Sequence, residues 1–230
     1  MISPGGNREE LDSMVVEIEL TLCSIIQGVA LYFLVDNTRL ILAKGAPISW
    51  PYVVTGLLII LLFWSRSLIH TLTLIRWPLE FVHNFFYIAC TLVEALAFAH
   101  LDDPFQWFVM TAAFAAIVWA LFVYDLRIVK LREKDSAGAV GSQLYAMVRS
   151  DQRLNIRIII PFIFLFNAGC AAAIRNWPEF FLQKNGHLIL VSLQAIGLLC
   201  YLANVIQVFV KFVPLISATR EEWRITAENP

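Results

Sequence analysis

Residues 52–75 read YVVTGLLIILLFWSRSLIHTLTLI, a stretch whose one formal charge is Arg66. At about 1.5 Å of rise per residue a helix of this length crosses a hydrocarbon core about 30 Å thick. A helix also satisfies every backbone hydrogen bond within the segment, which a lipid environment demands. Five further stretches of the same kind lie at about 14–35, 77–100, 105–128, 156–177 and 187–211. Across the chain 59% of residues are hydrophobic and 15% charged, against about a quarter charged in a soluble domain. The sequence therefore predicts an all-α integral membrane protein with six transmembrane helices. Its parts are a segment 1–13, a single six-helix domain 14–211 with a basic linker at about 129–155, and a tail 212–230. The opening MISPGGNREELDS is partly acidic, unlike the basic start of a cleaved signal peptide, so the first span is expected to stay as an anchor.

The basic residues set the expected orientation. Arg127, Lys130, Arg132, Lys134, Arg149, Arg153 and Arg157 lie between spans four and five, and Arg8, Arg76, Lys211, Arg220 and Arg224 join them on the same side. Only Arg39, Lys44, Arg175 and Lys184 fall on the other side, so both termini are expected in the cytoplasm. Trp50-Pro51, Trp77-Pro78 and Trp177-Pro178 mark span boundaries, where an amphipathic ring suits the headgroup zone and proline the first helical turn. In the linker, Ala137-Gly138-Ala139 reads as a turn, and Leu144, Met147 and Val148 as the apolar face of a short helix on the membrane surface or of an ordered linker.

The balance of 17 basic and 18 acidic residues gives a net charge of -1, which lacks the basic excess of a nucleic-acid binder. Phosphate-binding glycine loops, nucleophile elbows and zinc-hydrolase motifs are absent from the sequence, and no catalytic role is expected. Cys23, Cys90, Cys170 and Cys200 all fall within spans and form no C-x-x-C pair, so they read as packing residues; neither a metal nor another cofactor is expected.

Function has to be sought among polar groups at bilayer depth, each of which costs about 2.5–3.5 kcal/mol at a span centre if charged. Arg66 lies about 13 Å from the end of its span, with His70 and Thr73 on the same helical face. Spans two and three form a hairpin in which His70 comes level with His83, Thr73 with Glu80 and Arg66 with Tyr87. Glu80, His83, Asn84, Tyr87, Thr91 and Glu94 then make a polar stripe along span three. Glu94 is expected to pair with Arg175 at the end of span five. Span one offers Glu17, Thr21, Ser24 and Gly28 on one face, and span six Gln194, Gly197, Tyr201, Asn204 and Gln207. Asp125 reads as a solvated span end.

The arrangement, with Trp64 in span two, Asn84 early in span three and Ser24 with Gly28-Val29 in span one, resembles the endolysosomal and bacterial six-helix potassium channels. Their first helix carries a Phe-Ser-Asp-Gly motif, of which the phenylalanine and aspartate are missing here, and His70 follows Trp64 by six residues rather than closely. The resemblance implies an oligomeric pore built from first helices.

The expected function is a channel or transporter subunit for a small ion, acting as a homo-oligomer in a lipid bilayer. The expected site comprises Glu17, Ser24, Arg66, His70, Glu80, His83, Asn84, Thr91 and Glu94. A second reading is a non-catalytic effector or accessory subunit that binds protein partners through its polar faces. A third is a membrane-embedded haem or metal protein using His70 and His83 with Glu80. Compactness and the lack of targeting signals point to a bacterial cytoplasmic (inner) membrane.

Overall fold

The computed structural model describes the backbone of residues 4–45, 47–75, 80–135 and 139–228. Arg76, Trp77, Pro78, Ala137 and Gly138 lie outside the described residues. The described chain is all-helical: α1 (Pro4–Ala43), α2 (Trp50–Leu74), α3 (Phe81–Phe98), α4 (Pro104–Asp135), α5 (Ala139–Leu154), α6 (Ile160–Asn176) and α7 (His187–Glu228). Six helical stretches among the described residues are long and apolar enough to cross a membrane: Glu10–Ala43, Trp50–Leu74, Phe81–Phe98, Pro104–Lys134, Val140–Asn176 and His187–Thr219.

The boundaries have local causes. Proline at the start of α2 fits a first turn whose N–H groups have no intrahelical acceptor. Before α7, Asn185 takes a left-handed φ of 57°. Gly186 follows it because a side chain there would come within 2.6 Å of the Phe180 ring.

The helices close into a ring. α1 packs on α2 and α3, α3 on α4, α4 on α6, and α2 on α7. A side-chain hydrogen bond from α7 to α6, Gln194 to Asn167, completes it. One end, the loop end, gathers Lys44, Asp102, Tyr52 and His187. The opposite end, here the termini end, gathers Thr73, Glu80, Tyr124 and Tyr145. The large core side chains Tyr52, Phe98, Trp107 and Phe108 fill the loop end, and Val129, Leu144, Tyr145 and Phe212 the termini end. α2 runs close to its neighbours at Gly56, where a Cβ would meet Leu34 at 2.9 Å and Phe98 at 3.0 Å. Outward, the ring presents Phe81, Phe85, Phe162, Leu165 and Val210, all well exposed. An apolar surface so continuous is of the kind that a bilayer or another apolar partner covers.

Of the two readings of the basic linker, an ordered segment describes its packing. α4 continues to Asp135, and α5 enters α6 through one π-helical turn, Asn155–Ile159. Leu144, Tyr145 and Val148 are buried, and α5 packs on α4 and α7. Its apolar face thus has a protein partner: Tyr145 donates to the Thr73 carbonyl and Gln152 to that of Phe122. α5 is an extension of the fifth span, and it brings its own polar side chains into the bundle.

Candidate functional site

The polar stripe of α3 faces inward as expected: His83, Asn84, Tyr87, Thr91 and Glu94 are all buried. Arg66 and His70 of α2 face the same interior, with Arg66 only 5% exposed. A guanidinium so placed does not snorkel toward an interface. The His70 and His83 rings meet across the interior at 6.3 Å between centroids, although α2 and α3 are not the packed hairpin expected and each packs on α1 instead. Glu80, at the start of α3, instead accepts a hydrogen bond from Tyr124 at 3.1 Å.

What joins the two histidines is Asp125 of α4, which is 0% exposed. Its Oδ1 lies 2.7 Å from His83 Nδ1 and its Oδ2 lies 3.0 Å from His70 Nδ1. A buried carboxylate needs such partners, because its desolvation outweighs any single neutral contact. Both outer nitrogens, Nε2 of His70 and of His83, have no hydrogen-bond partner among the described residues. Glu19 of α1, buried beside Asn84, is an electrostatic neighbour of His83, and its Oε1 is likewise unpartnered among the described residues.

Arg66 finds its counter-charge on α5. Its Nη1 lies 2.8 Å from Asp151 Oδ2 and its Nε donates to Tyr201 Oη at 3.1 Å. The Tyr201 hydroxyl donates to Asn155 Oδ1, and the Asn155 amide donates to the Asp151 carbonyl at 2.8 Å. The guanidinium also lies 5.5 Å from the Phe122 ring centroid and 5.4 Å from that of Tyr201, within cation–π range. Asn155 belongs to the π-helical turn, so the departure from regular helix sits where this network is anchored.

These groups border a cavity of about 70 Å³. Arg66, Ser67, His70 and Tyr87 lie on one side and Thr111, Asn167 and Gln194 on the other, with Phe63, Phe114 and Leu198 among the apolar walls. By size the volume admits several water molecules, and its walls are mostly apolar. On the far side the amides form a closed set. Trp107 Nε1 donates to Gln194 Oε1 at 2.8 Å, and Gln194 Nε2 to Asn167 Oδ1 at 2.7 Å. Thr111 donates to the same oxygen at 2.9 Å, and Asn167 donates to the Ile163 carbonyl at 2.7 Å. Nearer the loop end Tyr52 and His187 share a hydrogen bond of 2.8 Å. Outside the spans, Lys44 bonds Asp102 at 2.7 Å and holds that carboxyl below its ordinary range.

Three expected placements are corrected. Glu17 and Ser24 are exposed on the outside of the ring, Ser24 bonded to its own Leu20 carbonyl, because α1 turns the row of Val15, Glu19, Cys23, Ile26 and Ala30 inward instead. Glu94 does not pair with Arg175: the carboxyl is buried beside Gln27, both its oxygens lack a direct partner among the described residues, and Arg175 is exposed. Asp125 is a buried group rather than a solvated end. His70 and His83 turn their Nδ1 atoms to one carboxylate, and no group of three or more metal-binding side chains occurs among the described residues.

Asp125, Asp151 and Glu19 were the residues missed. Two carried a readable signal: buried Leu144 and Val148 and half-buried Asp151 form one row of α5 that runs on to Asn155, and Leu121, Asp125, Ile128 and Val129 form one of α4. No known protein family, curated protein or solved structure matches the chain.

Proposed function

We propose that the chain is an integral membrane transport protein that moves a small ion through the interior of its own bundle. The observation that supports this most is the Asp125 carboxylate shared by His70 and His83 beside a cavity that Arg66 also borders. Buried ion pairs stabilise a fold weakly, and well-packed apolar replacements often do better. Glu19, Arg66, His70, His83, Glu94, Asp125 and Asp151 together are therefore an expensive way to hold helices. They make sense where charge has to be bound and released. The end rich in Arg and Lys faces the cytoplasm in this proposal, with a bacterial inner membrane as the location.

Reconstitution into liposomes tests the reading. Wild-type protein is expected to carry at least one of H⁺, Na⁺, K⁺ or Cl⁻, with Asp125→Asn lowering the flux about tenfold or more while circular dichroism stays unchanged. A well-folded sample that carries none of these ions overturns it.

A second reading has its own observation. Glu17, Thr21, Ser24 and Gly28 form an exposed polar and small row on α1, of the kind that lets membrane helices approach and bond. In this reading the chain is a subunit that meets further copies, or a partner protein, along α1. A disulfide cross-link between Ser24→Cys chains in membranes supports association of copies; its absence, together with a monomeric mass in mild detergent, removes it.

A further inference from the structure

We infer that the ion is a proton, and that His70, Asp125 and His83 pass it between the cavity and Glu19 at the seam of α1 and α3. The inference rests on the transport reading and names its substrate. The carboxylate stands between the two imidazoles: its Oδ1 shares a hydrogen bond of 2.7 Å with His83, and its Oδ2, 3.0 Å from His70 Nδ1 but without a hydrogen bond, is left to take a proton. The two free ring nitrogens open onto different surroundings. His70 borders the cavity and packs on Phe122, with ring centroids 5.1 Å apart. His83 packs on Tyr87 at 4.5 Å and has Glu19 as an electrostatic neighbour, with no hydrogen bond between them.

The cavity is poorly made for other ions. An alkali cation needs a shell of oxygens to replace its water. The side-chain oxygens of Asn167 and Gln194 already accept hydrogen bonds from neighbouring side chains, and a guanidinium stands across from them. An anion would compete with Asp151 for Arg66. A proton needs neither a shell nor a counter-charge beyond Asp125.

The charged and titratable groups around the triad come from every helix packed on it. They are Glu19 from α1, Arg66 from α2, Glu80 and Tyr87 from α3, Tyr124 and Asp125 from α4, Asp151 from α5 and Tyr201 from α7. Arg66 and Asp151 cancel within their pair, leaving Asp125 as the anion to which either histidine, once protonated, is attached.

His70 starts with its proton on Nδ1, and His83 with one on Nε2 and a second held between its Nδ1 and Asp125 Oδ1. In the transfer step a cavity water protonates His70 at Nε2. The N–H bond at Nδ1 breaks as an O–H bond forms on Asp125 Oδ2, and the proton held at Oδ1 passes to His83 Nδ1. His83 then loses its Nε2 proton to water at the seam of α1 and α3, where Glu19 is its electrostatic neighbour. One proton enters and one leaves, and the starting tautomers return by proton exchange with water, because turning a histidine ring does not interchange its two nitrogens.

Full-length protein in liposomes, with a pH dye inside and parallel assays for Na⁺, K⁺ and Cl⁻, is the experiment. Proton flux is expected in the wild type, falling about 10²-fold in His70→Gln, His83→Gln and Asp125→Asn, the scale of positioned proton transfer. Glu19→Gln leaves the triad intact and is expected to lower the flux as well. Flux of another ion with no proton flux overturns the relay alone; no flux of any ion from folded protein overturns the transport reading with it. Nitrogen NMR of the histidines gives an arm that needs no variant triad to fold. The Nδ1 nitrogens of both His70 and His83 are expected to show the shifts of rings paired with a carboxylate, and a free-ring signal from either overturns the relay.

Discussion

Two polar clusters of the bundle interior bury their side chains in opposite ways, with Glu94, buried and unpartnered among the described residues near the loop end, belonging to neither. Toward the loop end, Trp107, Thr111, Asn167 and Gln194 are neutral, and their hydrogen bonds run among themselves and to the Ile163 carbonyl. Toward the termini end, Glu19, Arg66, His70, His83 and Asp125 are ionisable, and each leaves a buried atom without a partner among the described residues. A saturated neutral network rigidifies helix contacts, whereas an unsaturated ionisable one retains free valences for an incoming proton or water. In the proposed reading the difference separates what holds the ring from what moves the proton.

Arg66 and Asp151 offer the sharpest way to break that contrast. Asp151→Ala strands a buried guanidinium and is expected to lower stability by about 3–5 kcal/mol, measured by denaturant unfolding in detergent. Replacing both partners, Arg66→Met with Asp151→Leu, is expected to be neutral or stabilising while flux collapses. A double variant as unstable as the single one would mean that the pair is structural.

Gln194→Leu probes the opposite half. It leaves the Trp107 N–H without its acceptor and removes a donor to Asn167, a loss of about 1–3 kcal/mol in the same unfolding assay. Flux is expected to stay within a few-fold of wild type, and a flux loss as deep as that of Asp125→Asn would place the amides in the pathway.

The smallest effect belongs to Lys44 and Asp102, outside the spans. The folded state holds the Asp102 carboxyl below the ordinary aspartate value near 3.8. Its contribution is therefore full above that value and lost as pH falls through the lower, folded one. Both side chains are substantially exposed, so solvent screening keeps the effect at about 0.2–1 kcal/mol. A melting series from pH 6 to pH 3 should show this small loss in the wild type and less of it in Lys44→Ala.

The spans were legible because length and apolarity alone define them, and the antiparallel course of α2 and α3 because so short a turn leaves no other; the two do not pack as a hairpin, each lying on α1 instead. Counting from that turn brought His70 level with His83 and put Arg66 indoors. The facing of α1 was harder to read. A helix between lipid and a core is apolar on both sides, so periodicity does not separate the row of Glu17 and Ser24 from that of Glu19 and Cys23. Depth misled at Asp125, since closeness to a span end says nothing about whether α5 covers it. Charge misled in the linker, where the basic residues drew notice and Asp151, on the buried row, did not. Arg175 matched Glu94 in depth, but the ring packs α3 on α1 and α4, with α6 beyond α4.

Proton flux and unfolding free energy, measured together on Asp125→Asn and Gln194→Leu in the same preparation, test the central claim most directly. Asp125→Asn is expected to abolish flux in a protein that still folds, and Gln194→Leu to keep flux in a less stable one. Unaltered flux in folded Asp125→Asn protein would contradict the account.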